Sequence, residues 1–509
     1  MEGSDVSEKA AEAPMGSGPD DNIVDWNGPN DLENPRNWKA SKRYLHAILL
    51  SMITLNVNLA STMFAPGAPL LMRDLNNTSE TIGTLTVSIY VLGFALGPLV
   101  LSPLSEMYGR LIIYQSTNFI FLAFMLGCAL SKDITEFLIF RFISGCAGSA
   151  PLTIGGGTLA DLFPQEERGK MMGLFALGPL LGPVIGPIAG GFIAEDIGWR
   201  WTFWVLLIIS GVVNVVAIVF MRETYAPVIL ARKTTRLQKE TKNPALRSKL
   251  DTGMRTHHLL AQSVLRPLKL LLFSPIVLLL SLYVAFAFGL VFLLFTTFPL
   301  VFSEQYDFGA GVIGLSYLGM GVGFFLGLIV FATFSDKILK AKAAKNERPE
   351  APSTPSQGDE ESKPEEENAS APPKYKPELR LFLMACLAPV LPFGFFWYGW
   401  SAEEKVHWIV PILATGLIGI GQLFIMMPVQ TYLIDVFGDR AAASALAANT
   451  LLRSLFGSFL PLAGPHLYDA LGLGWGNSLL GFIGLAFMPV PYLFYHYGET
   501  IRTKHPVHL

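Results

Sequence analysis

The chain has 509 residues, of which 51% are hydrophobic and only 15% charged, with a mean hydropathy of +0.44; a soluble domain carries about 25% charge. Its 48 Gly and 34 Pro suit spanning helices, which tolerate both residues better than soluble helices do. A net charge of −3 leaves no basic field for nucleic acid, and Cys128, Cys146 and Cys386 lie in apolar runs without metal-ligand spacing.

Residues 1–43 form a polar, acidic tail with no cleavable signal pattern, so the first spanning helix is expected to serve as the insertion signal. Apolar runs long enough for a hydrocarbon core of ~30 Å begin near Tyr44, Thr81, Leu111, Thr135, Gly169 and Trp199, and again near Ser274, Gly311, Leu379, Val406, Arg440 and Trp475. The expected fold is therefore an all-α membrane protein of twelve transmembrane helices in two six-helix pseudo-repeats, 44–221 and 274–498. A basic, loop-like stretch, 222–273, joins them, and 499–509 forms a second tail. An insertion at 341–377, dense in Pro, Glu and Ser, cannot bury enough apolar surface to fold and is expected to be disordered; Ser356 and Ser362 there are conceivable phosphorylation sites.

Alternate assignment of the loops places 31 of the 37 Lys and Arg with the termini and even-numbered loops, against Arg73, Lys132, Arg200 and Lys405 in the odd ones. Positive charge is retained on the cytoplasmic side, so both tails and the insertion are expected there.

Within this frame several residues stand out. Gly93, Gly97, Glu106 and Arg110 recur at identical spacing as Gly323, Gly327, Asp336 and Lys340 in the second half, as in a transporter assembled from repeats. The glycines admit a neighbouring helix closely. The acids Glu106 and Asp336 are expected to pair with a helix N-terminus or an arginine, latching one access state.

Arg141, in the fourth run, is an ionisable group at membrane depth, which by default marks function or a buried pair; Arg453 in the eleventh run is a second. The fifth run carries Gly178, Pro179, Gly182, Pro183, Gly186, Pro187, Gly190 and Gly191, a helix face stripped of side chains with kinks that suit sliding or bending. The first run holds no acid; Asn56, Asn58, Ser61 and Thr62 are polar residues in it. Titrating candidates are thus Glu106, Asp161, Asp336 and Asp435, near the cytoplasmic ends. Asn58, Tyr90, Arg141, Tyr317, Gln422 and Asn449 are candidates to line an amphiphilic pocket.

These residues resemble the major facilitator superfamily, in its fungal twelve-helix drug:proton antiporter branch. Asp25 to Trp38 is similar to that branch's pre-helix signature, with Leu32 where Pro is usual. Gly97 to Arg110 resembles the loop motif between helices two and three, with Glu106 in place of the wider superfamily's Asp. The segment from Arg141 to Gly145 resembles the helix-four motif whose Arg is implicated in proton coupling, and Gly178 to Gly191 the helix-five antiporter motif. Tyr432 to Asp435, Ala442 to Ala445 and Asn449 to Arg453 also resemble the branch.

The resemblance implies proton-driven export of hydrophobic organic compounds, such as drugs, fungicides or the cell's own secondary metabolites, at the plasma membrane. A facilitator or proton-coupled transporter of a nutrient or polyamine on the same fold is the alternative. An enzyme or ATP-driven pump is disfavoured, since the chain lacks a G-x4-G-K-[ST] phosphate loop and clustered metal-binding histidines. No cofactor is expected; the expected partners are a small-molecule substrate, protons and the lipid bilayer, with the protein monomeric.

Overall fold

A computed structural model of the chain describes residues 22–250, 256–346 and 376–504, and nearly all of them are helical. The first span, Ala40–Asp74, breaks between Met63 and Gly67, where Pro66 lacks the N–H that would close onto Thr62. Glu80–Tyr108, Arg110–Leu130, Ile134–Leu162, Glu167–Asp196 and Arg200–Phe220 complete the first half. Pro275–Tyr306, Ala310–Ser335, Pro377–Glu403 and Ile409–Gly438 begin the second.

The remaining apolar stretch, Ala442–Ile501, has 60 residues, about 90 Å if straight and about three times the membrane's hydrocarbon thickness. Gly472, with φ of +72°, divides it into the eleventh and twelfth spans. Gly438, with φ of +58°, likewise separates the tenth from the eleventh. Twelve crossings result, each starting within a few residues of the expected position.

All even-numbered spans run toward the end from which the first span departs, here called the tail end; the other is the far end. The seventh span runs through the core of the second half, with Val277, Leu280, Val284, Leu293 and Phe298 buried. The sixth turns Ile208, Val212, Val215 and Val219 outward, as a helix facing lipid does.

The repeated glycines play the same part twice. A Cβ on Gly93 or Gly97 would collide with Cys146 and Ser149 of the fourth span, and one on Gly323 with the Gly416 carbonyl of the tenth. In the fifth span, Gly178, Gly182, Gly186 and Gly190 all face the first span, at Leu55, Asn58, Thr62 and Met63. The three prolines leave that helix unbroken from Gln165 to Asp196.

The stretch between the halves is more ordered than its basic composition leads one to expect. It contains two helices, Ala226–Thr241 and Thr256–Phe273. The first buries Leu230, Lys233 and Thr234, a stripe at helical spacing, beneath the N-terminal segment. Ile23 and Val24 pair in parallel with Arg247 and Ser248. Lys233 Nζ donates to Asp25 O at 3.1 Å, Asn27 Oδ1 at 3.0 Å and Asp31 Oδ2 at 3.3 Å. Asn37 Nδ2 donates to the carbonyls of Pro29 and Asp31, so the pre-helix signature folds into a clasp around one lysine. In the insertion at 341–377, helix continues to Asn346; most of the rest, with Ser356 and Ser362, lies outside the described residues.

Candidate functional site

Arg141 is wholly buried, about two turns into the fourth span. Its Nη1 donates to Ala60 O at 2.8 Å, Nη2 to Ser61 O at 3.4 Å and Nε to Thr86 O at 3.5 Å. Ala60 and Ser61 lie in the last helical turn before the first span breaks, where carbonyls lack intrahelical partners and the helix dipole favours a cation. Tyr90, Phe64 and Phe203 surround the guanidinium, with ring centroids at 4.6, 5.7 and 5.5 Å. The arginine thereby ties the first, second and fourth spans together without a carboxylate.

The halves meet along two seams, between the second and eleventh spans and between the fifth and eighth. At the far end they are hydrogen bonded. Glu195, ending the fifth span, accepts from Gly311 N at 2.6 Å, and Thr81 Oγ1 lies 3.1 Å from His466 Nε2. Gly191 fits against Ala310, Gly314 against Pro187 and Gly321 against Val184. Toward the tail end, Gly169 and Gly173 of the fifth span have open space around them.

At the tail end each half carries an ion pair of matching placement. Arg110, starting the third span, lies 3.5 Å from Asp161, near the end of the fourth. Arg380, at the start of the ninth, lies 2.6 Å from Asp435, near the end of the tenth. Arg110 Nη1 also donates to Ser105 Oγ at 2.6 Å, and its guanidinium stands 4.6 Å from the Tyr225 ring.

Glu106 is exposed and makes no hydrogen bond or ion pair among the described residues. The helix N-terminus nearby is taken instead by Glu223, a residue the sequence did not single out. Its Oε1 accepts from Arg110 N, Thr224 N and Tyr225 N at 3.0, 2.9 and 2.9 Å, and its Oε2 from Leu111 N at 3.2 Å. Glu403 likewise accepts from Leu473 N and Gly474 N at the start of the twelfth span, at 2.7 and 3.2 Å. Three spans thus begin beside a glycine (Gly109, Gly309, Gly472) and receive a carboxylate from elsewhere (Glu223, Glu195, Glu403). The available signal was a glycine at a helix start together with an acid closing another span. The side chain of Asp336 lies outside the described residues.

Of the candidate pocket residues, Tyr90 donates its hydroxyl to Val57 O at 3.1 Å and Tyr317 to Phe295 O at 2.6 Å; both are sealed. Asn58 Nδ2 donates to Thr54 O, and Asn449 Nδ2 to Ser281 Oγ at 3.3 Å. Gln422 is buried with neither amide atom hydrogen bonded among the described residues. Arg453 is half-buried, 5.0 Å from the Phe288 ring centroid and 3.7 Å from Met426 Sδ. Separately, Asn56, Asn118, Ser210 and Asn214 line a small cleft between the first, third and sixth spans, away from both seams.

Two six-span halves, joined along two seams and hydrogen bonded at the far end, define a membrane transporter of the two-repeat helical class. The chain belongs to the Major Facilitator Superfamily, whose profile it matches over residues 50–461; members of this family are transporters, and the protein is not an enzyme. It is 55% identical over 485 residues to the MFS transporter prlG of Fungal sp. (strain NRRL 50135), covering 95% of this chain and 97% of that one. It is 50% identical over 513 residues to the trichosetin biosynthesis cluster MFS transporter of Gibberella fujikuroi, covering 99% and 95%. The fold also matches the partially occluded, inward-open xylose transporter XylE from E. coli, with a TM-score of 0.62, 16% identity and coverage of 90% and 98%.

Proposed function

We propose that the protein exports small hydrophobic organic compounds, the producing cell's secondary metabolites among them, by proton antiport with alternating access. The observation carrying this reading is the 50% identity, over nearly the full length, to a transporter named for a fungal biosynthesis cluster. The distribution of Lys and Arg supports cytoplasmic tails, and export of such compounds places the protein in the plasma membrane. With the tails inside, the far-end hydrogen bonds close the outer face, so the described form faces the cytoplasm. In this reading Glu106 and Asp336 latch the opposite, outward-facing state, which accounts for an unpaired Glu106 here. Arg141 is the fixed charge on which coupling depends, and Asp161 and Asp435, beside Arg110 and Arg380 at the tail end, are the carboxylates that exchange protons.

The test is a transport assay with the purified full-length chain in proteoliposomes, an imposed pH gradient and a panel of lipophilic compounds. Gradient-dependent movement of compound against protons is the expected result. Movement of sugars or polyamines alone, or of lipophiles regardless of the gradient, refutes proton-coupled export.

A further inference from the structure

The two arginines buried in the spans differ in one respect. All three guanidinium nitrogens of Arg141 donate to backbone carbonyls, and the side chain is sealed. Arg453 has no carboxylate within ion-pair reach and no oxygen acceptor among the described residues. Its contacts are a thioether and an aromatic face, and its Nε is buried without a partner.

Its position fits a substrate site. Arg453 lies eleven residues into the eleventh span, about 16 Å along the helix and near the bilayer midplane, where transporters of this architecture bind cargo. One turn further on, Gly457 packs against Phe288 and against Val91 of the other half, so this helix face runs along the seam. Met426, the sulfur contact, stands one turn from Gln422 on the tenth span, whose buried amide is also unpartnered. A half-buried cation, an unsatisfied amide and the apolar surfaces of Phe288 and Met426 thus stand on the second, seventh, tenth and eleventh spans' common face.

We propose that Arg453, with the Gln422 amide, binds the anionic head of an acidic and otherwise apolar organic substrate, a carboxylate ionised at neutral pH. This rests on the transporter reading and adds the charge class of the cargo. A guanidinium held in a poor dielectric without a counter-ion gains most from an anion that supplies one. Phe288 and Met426 contact the apolar body.

The experiment measures binding to the purified full-length protein of a panel of lipophilic carboxylic acids, each beside its neutral methyl ester. Wild type is expected to favour the acids by at least about tenfold, the yield of one charge-assisted hydrogen bond, with the preference lost in Arg453→Gln and reduced in Gln422→Ala. Arg453→Met, which removes an unpaired buried charge, is expected to raise the melting temperature, whereas loss of a structural arginine lowers it. Esters binding as tightly as acids, no acid binding at all, or acid preference surviving in Arg453→Gln overturns the proposal. Transport run in parallel separates the two readings: neutral lipophiles moving while acids do not sinks the anion site alone, and no movement of either class sinks the transporter reading.

Discussion

Replacing Glu223 tests whether a carboxylate lent from the end of the sixth span holds the start of the third. The third span begins at Gly109 without a side-chain cap of its own, and Glu223 covers two of its amides together with two of the following loop. In Glu223→Gln one oxygen still accepts, but the charge is lost and an amide NH2 faces Leu111 N. That costs about 2 kcal/mol from one charge-assisted bond and the helix dipole. In Glu223→Ala the buried amides of Arg110 and Leu111 lose their partner, costing about 3–5 kcal/mol. At roughly 2–4 °C per kcal/mol for a unit of this size, the Gln variant melts about 4–8 °C lower. Thermal unfolding of detergent-purified protein is the assay, and Glu106→Gln is the control, expected to stay within about 0.5 kcal/mol as an exposed, unpaired site. Equal melting of Glu223→Gln and wild type, or a larger loss in Glu106→Gln, refutes the assignment.

Glu195→Ala removes the charge-assisted bond to Gly311 that joins the halves, about 1.5–3 kcal/mol or roughly 10–150-fold in the equilibrium between access states. A single cysteine placed in the seam should become reactive from the far side, and unchanged reactivity shows that the seam glycines alone hold it. Lys233→Met should release the N-terminal segment at a cost of about 2–3 kcal/mol, below the usual value for a stranded buried charge because Asp31 keeps two backbone N–H donors; limited proteolysis near Asn22 reads the release. Those amides, and then Lys233, hold the Asp31 carboxyl below its ordinary 3.8. The clasp therefore keeps its full strength above that value and loses it as pH falls through the lower folded one, so protection should be equal at pH 7 and pH 5. Arg141→Ala should abolish gradient-linked efflux and also lower the melting temperature, since three carbonyls lose their donor. Arg141→Lys should keep part of both, and full efflux in Arg141→Ala would remove the residue from coupling.

The span boundaries were legible because hydrophobic length and terminal charge are local properties, and the fifth-span glycines because their period of four is visible without a partner. Glu223 was not: its ligands are backbone amides 113 and 112 residues away, and an amide leaves no mark in a sequence. The helix Ala226–Thr241 escaped because a stripe of Leu230, Lys233 and Thr234 is not an apolar period; it becomes a buried face only when the N-terminal acids arrive. The matched pairs Arg110–Asp161 and Arg380–Asp435 were hidden by unequal loop lengths, although each of the four residues stands at a span end. Arg141 was found by its charge, but its satisfaction by the last carbonyls of the first span depended on where that helix breaks.

The clasp also has a history written into the order of synthesis. Asp31 and Lys233 are 202 residues apart, so at about 5–20 residues per second Asp31 is synthesised roughly 10–40 s before its lysine exists. Six spans must be made in the interval. The N-terminal segment can fasten only onto a chain whose first half is already translated, which makes its closure a timestamp of that half's completion.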